Sequence, residues 1–160
     1  MIQQLIKSSI IVVVLIAIQL TLIPLVSIKG IIPDLIVIYV VIFSLRNGQL
    51  KGTFFGFLVG LFFDLFSGGL LGSAMFAKTL AGFIAGYFYK EDDEEDIFSN
   101  SVLFTSIIFT SALIDSFFYA FLGSAEVELN LLGLIFTNGI FPAIYTAMIG
   151  LAYSLLVRKK

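Results

Sequence analysis

Asp34, Asp64, Lys78 and Asp115 are ionisable side chains set within or at the entrance of long apolar stretches. A charge in hydrocarbon costs about 2.5–3.5 kcal/mol on insertion scales, so such groups turn toward a packed interior or a wet cavity and pair. Three carboxylates and one ammonium can pair, relay protons or hold a cationic ligand. Little else is open to them, because the chain has no His and no Cys. That excludes imidazole acid–base work, thiolate nucleophiles, disulfides and Cys/His metal sites. No G-x-S-x-G, P-loop or H-E-x-x-H pattern occurs in the sequence. No catalytic, metal-ligating or cofactor-binding residue is therefore singled out; Asp and Lys alone can run proton chemistry, but no paired acid and nucleophile is visible in the pattern.

Lys78 falls nine residues into its apolar stretch, roughly 13 Å deep at about 1.5 Å per residue. An unpaired ammonium at that depth is costly, and the partner expected for it is Asp64 or Asp115. Asp34 stands at a helix entrance, after Pro33. Ala74, Met75, Ala81 and Gly82 lie one turn from Lys78, and Ser111 and Ala112 lie one turn before Asp115. Small neighbours suit a packed interior. A structural ion pair that fixes helix register and a polar cluster that binds or relays are both open.

A second pattern is a row of glycines. Gly48, Gly52, Gly56 and Gly60 recur every four residues, and Asp64, Gly68 and Gly72 continue the register. Four residues turn a helix by roughly 400°, so the row forms a slightly inclined groove. Glycine at this spacing lets two helix backbones approach closely. The next apolar stretch offers Ala74, Ala81, Gly82, Ala85 and Gly86. The row is a helix-packing face or a partner interface. Pro142, preceded by Asn138 and Gly139, marks a third feature, a kink whose freed carbonyl Asn138 is placed to satisfy.

The elements that must carry these residues are membrane-spanning helices. The chain has 160 residues, 59% hydrophobic and 12% charged, with a mean hydropathy of +1.10. A soluble domain is about 45–50% apolar and about 25% charged, so this surface needs lipid. Apolar runs broken by charge or Gly/Pro predict six transmembrane helices over residues 4–26, 31–45, 50–66, 69–89, 98–122 and 131–157. Together they form a single all-α integral membrane domain over residues 1–160. The first run lacks a small-x-small cleavage pattern and reads as a retained helix. The weakest division is at Ser67-Gly68-Gly69, where two helices and one re-entrant unit are both conceivable.

Charge sets the orientation. With six spans, one side holds Lys7, Arg46, Lys51, Lys90, Arg158, Lys159 and Lys160, and the other holds Lys29. That bias puts both termini in the cytoplasm. The net charge of −2 is dominated by six acids in a row, Glu91 to Asp96. They form a solvated cytoplasmic turn or a docking site for a basic partner. Nothing in the pattern points to nucleic acid.

The stretch Pro33-Asp34-Leu35, then Gly52-x-x-x-Gly56-Phe57-x-x-Gly60-Leu61-x-x-Asp64, then Gly68-x-x-x-Gly72-x-x-x-Phe76 resembles the MreD family of rod shape-determining proteins. The resemblance implies an inner-membrane protein of bacterial cell-shape maintenance. Its implied partners are an MreC-like bitopic membrane protein, other membrane proteins of the elongation complex, and membrane lipid. The implied role is a non-enzymatic scaffold that supports lateral peptidoglycan synthesis. The family is similar in fold to the substrate-binding components of energy-coupling-factor transporters, which supplies an alternative: a substrate-binding transporter subunit with a pocket near Asp34, Asp64 and Asp115. Those components dock a partner through paired small residues on helix 1, where this chain has Ala17 alone. A membrane enzyme acting on a lipid intermediate is a third reading.

Overall fold

The computed structural model describes residues 2–90, 94–123 and 133–158, all in helices and the short links between them apart from one isolated bridge. The first helix, α1 (Ile2–Thr21), gives way to a 3-10 turn (Ile23–Val26) at Pro24, which cannot donate to a continuing helical ladder. A tight return, with Lys29 and Gly30 at positive φ and Ile28 bridged to Ile31, leads to Pro33. Helix α2 (Leu35–Asn47) starts later than the sequence predicts because Asp34 is its N-cap: the carboxylate accepts the Ile36 and Val37 N–H groups.

Helix α3 (Gln49–Ser67) and helix α4 (Ser73–Tyr87) follow, joined by residues 68–72. The Ser67-Gly68-Gly69 division thus separates two helices, and the second begins at Ser73 rather than residue 69. A short helix, α5 (Glu94–Ser99), takes up the end of the acidic run; residues 91–93 lie outside the described residues. Asn100 caps α6 (Ser101–Gly123) through a bond from the Leu103 N–H. The last rod is compound. A π-helical segment (Leu134–Ile140) runs directly into α7 (Phe141–Arg158). Pro142 has no N–H to give, and the ladder ahead of it widens so that the Phe141 N–H bonds Phe136, five residues back. The register shift, rather than Asn138, accommodates the proline; Asn138 is exposed.

Helix α2 sits at the centre. Val37, Val41 and Leu45 pack with Ala81 and Ala85 of α4, Ile107, Ile108 and Ala112 of α6, and Ala143 and Ala147 of α7. Its opposite face, Ile36 and Val40, packs with Val12 and Ile16 of α1 and Val59 of α3. Being apolar all round, α2 is covered by protein on both sides. The outer helices instead expose large apolar side chains, among them Ile10, Val13, Phe54, Leu65, Phe76, Val102 and Met148. In water this surface would aggregate; in lipid it is solvated. Among the described residues, three helical stretches are long and apolar enough to cross a membrane, Gln49–Ser67, Ser101–Gly123 and Ile135–Leu156, and Ile10–Thr21 and Leu35–Asn47 are shorter apolar helices.

The closest packing is between α3 and α4, which run antiparallel. Gly52 lies against Gly82, Gly56 against the Lys78 carbonyl, and Gly60 against Ala74 and Met75. A Cβ at any of the three would come within 3.0 Å of the facing helix's backbone. Descending α3 in steps of four thus climbs α4 in steps of four, and backbone meets backbone at each step. Gly48 ends the row on the α2 side: a Cβ on Gly86 would meet Gln49 and the Gly48 carbonyl carbon, backbone to backbone. It is at the same time the link between α2 and α3, with φ +88°, a conformation that L side chains rarely adopt. Gly68 and Gly72 leave the register, because α3 ends at Ser67 with Gly68 in the left-handed region.

Candidate functional site

Four helices deliver the charged residues to one end of the bundle. Asp34 arrives at the N-terminus of α2, Asp64 near the C-terminus of α3, Lys78 in the second turn of α4 and Asp115 in the C-terminal half of α6. Lys78 Nζ donates to Asp34 Oδ2 at 2.6 Å and to both Asp115 oxygens at 3.3 and 3.4 Å. The ammonium also lies over the Phe63 ring, 5.4 Å from its centroid. Lys78 and Asp115 are buried, whereas the Asp34 side chain keeps 20% of its surface open. The partners expected of Lys78 from sequence were Asp64 or Asp115; Asp115 is one, and Asp34 takes the place of Asp64.

Asp64 has a different occupation. Its carboxylate accepts the N–H groups of Gly72 (2.8 Å), Ala74 (3.0 Å) and Met75 (3.0 Å). It therefore caps the start of α4, where free N–H groups and the positive end of the helix dipole gather. The row Gly52, Gly56, Gly60 and Asp64 is one device. The glycines bring α3 against α4, and the aspartate at the end of the row ties down the other helix's first turn.

Two residues that the sequence reading passed over complete the site. Gln19 of α1 brackets the chain beside Asp34, donating to the Pro33 carbonyl at 2.8 Å and accepting from the Leu35 N–H at 3.0 Å. Thr146 of α7 accepts the Asp34 N–H at 2.9 Å. An amide in an apolar run is subject to the same cost argument as a charge, so Gln19 carried a usable signal. Thr146 carried none, since helix threonines commonly bond their own backbone.

Above the cluster is a cavity of about 620 Å³. Its walls come from the end of α1, the Gly30–Asp34 approach to α2, the α3–α4 link, the last turns of α6 and the π-helical segment. Asp34, Lys78 and Asp115 form its floor, with Ser116, Tyr119, Thr137 and Asn138 along its sides. Arg46 and Lys51, at the α2–α3 link, lie at the other end of these helices. The arrangement can hold charge and pair it. Lys78 is enclosed between two carboxylates and a ring, which withholds it from nucleophilic chemistry.

The family model for rod shape-determining protein MreD matches residues 1–159. The chain belongs to the MreD family. No curated protein matches it, and no solved structure matches it. MreD membership assigns the chain to rod shape determination, and the match extends beyond residues 33–86, which carried the resemblance, to residues 1–159. Both the apolar helices and the family make it a membrane protein.

Proposed function

We propose that this MreD-family chain is a non-enzymatic scaffold of the bacterial elongation complex, a single integral domain of six spans in the plasma membrane. It binds an MreC-like bitopic protein and supports lateral peptidoglycan synthesis. The observation that carries this reading is the family match over residues 1–159. The design of the bundle supports it. The tightest packing, α3 on α4, is spent inside the molecule, while apolar side chains such as Phe54, Phe57 and Leu65 of α3 stay exposed to meet lipid or another helix. Affinity purification of the full-length chain from its native membrane should recover an MreC-like protein. Recovery of an ATPase module and a bound vitamin, without such a protein, would instead favour the substrate-binding transporter subunit. The cavity is what speaks for that second reading, and the fold similarity to energy-coupling-factor components is part of it.

The same reading has both termini in the cytoplasm and the cavity facing out. Ser154 of α7 bonds Ser101 at the start of α6, while Tyr145 bonds the Val26 carbonyl near the cavity. The C-terminal part of α7 therefore lies at the Arg46 and Lys51 end, in line with the bias of seven bases against one. Reporter fusions after Lys160 and within residues 91–96 should read cytoplasm, and fusions within residues 124–128 should read the outside. An external C-terminus would end the six-span arrangement.

A further inference from the structure

The cavity holds an imbalance that the scaffold reading does not use. Its floor has two carboxylates, Asp34 and Asp115, against one ammonium, Lys78. Asp64 does not enter this count, because its carboxylate is turned to the α4 start and does not line the cavity. The floor thus carries one formal negative charge in excess, and the 20% of Asp34 that stays open is the accessible part of it. Beside it stands the Tyr119 ring, 37% exposed and edge-on to Phe63. Aromatic faces and carboxylates together attract a cation. The volume of about 620 Å³ lies in the range of about 300–1,000 Å³ typical of small-molecule sites. Leu20, Pro24, Ile32 and Leu70 supply an apolar rim where the mouth meets the end of the bundle.

We infer that this cavity binds the primary ammonium group of an amphiphile, most directly the headgroup of an aminophospholipid, with Asp34 and Asp115 as counter-charge and Tyr119 as an aromatic wall. An ammonium brings the floor to neutrality and adds a charge-assisted donor at the open part of Asp34, beside the bonds from Lys78, Ile36 and Val37 that it already accepts. The rim lets glycerol and acyl chains continue into lipid. The inference needs neither an identified protein partner nor the proposed orientation, so its failure leaves the scaffold reading standing.

The test uses the full-length chain in detergent, equilibrated with equal amounts of phosphatidylethanolamine and phosphatidylglycerol. Lipid retained after washing is measured by mass spectrometry. A charge-assisted bond contributes about 1.5–3 kcal/mol, so the ethanolamine lipid should be retained roughly tenfold or more over the glycerol lipid. Asp115→Asn removes the excess charge and leaves Lys78 its bond to Asp34; the preference should fall to near parity. Because Asp115→Asn can also loosen the bundle, Thr137→Trp is the second variant: it fills the mouth from an exposed position and leaves the floor intact, with the same loss expected. Free ethanolamine separates the sources. If it raises the melting temperature of the wild type but not of Asp115→Asn, without lipid preference, the ammonium site stands and its ligand is soluble. Equal retention of the two lipids with no response to ethanolamine would overturn the inference. So would a wild-type preference that survives both substitutions, which would mark surface lipid only.

Discussion

Lys78→Met should destabilise the protein by about 3–5 kcal/mol, the usual cost of removing one partner from a buried ion pair. The substitution keeps the volume of the stem but leaves Asp34 and Asp115 facing each other without the ammonium that now bonds both. Combining it with Asp115→Asn should restore part of the loss, since one of the stranded charges goes. Asp34 then still has its cap bonds to Ile36 and Val37. In double-mutant cycles read by thermal unfolding in detergent, Lys78 should couple to Asp34 and to Asp115 by about 1 kcal/mol or more. It should be additive with Asp64, within about 0.5 kcal/mol, because Asp64 bonds α4 backbone instead. Additivity with Asp34 and Asp115 alike would show that the three do not form one cluster.

The glycine row should be comparably sensitive, for a steric reason. Gly56 faces the Lys78 carbonyl and Gly60 faces Ala74 and Met75 at distances that leave no room for a Cβ. A bulky side chain must push α4 off α3, and α4 carries Lys78 on one face and the Asp64 cap at its start. Gly56→Leu and Gly60→Leu should each cost about 3 kcal/mol or more, at or beyond the upper end of ordinary overpacking. Phe54→Leu, on the exposed side of the same helix, should have little effect and serves as the control. The measurement is the yield and melting temperature of monodisperse protein. Leucine variants that match the wild type in both would mean the row faces lipid.

The sequence disclosed these features unevenly, and each gap has a physical cause. Period and small size identify Gly52, Gly56 and Gly60 as a close-approach face, because an α-helix leaves few other reasons for glycine every four residues. Period alone also enrolled Gly68 and Gly72, which serve a link instead; spacing does not reveal where a helix stops, whereas a positive φ does. The intramembrane charges were legible as a group from the cost of burying them. Their pairing was not, since Asp34 and Lys78 are 44 residues apart and only packing of α2 against α4 brings them together. Asp64 was misassigned for a related reason. With α4 expected to begin at residue 69, its free N–H groups would have lain elsewhere; with the start at Ser73, they converge on the Asp64 carboxylate. Asp34 itself holds two positions at once, one oxygen capping α2 and the other bonding Lys78, and a linear pattern shows neither.

The order of the charged residues along the chain bears on how the protein enters its membrane. Helices leave the ribosome one after another, and every intermediate must be tolerable in lipid. By the time α4 has emerged, Asp34 and Lys78 are both present and form a neutral couple. Asp64 and the N–H groups that hold it are also present, separated by no more than 11 residues. Among the described residues, the buried charges of the first four helices, Asp64 and Lys78, therefore arrive with their partners. Asp115 comes later, on α6, and reaches an ammonium that is already in position. A half-made chain of this design never has to leave a lysine alone in hydrocarbon while it waits for the rest of itself.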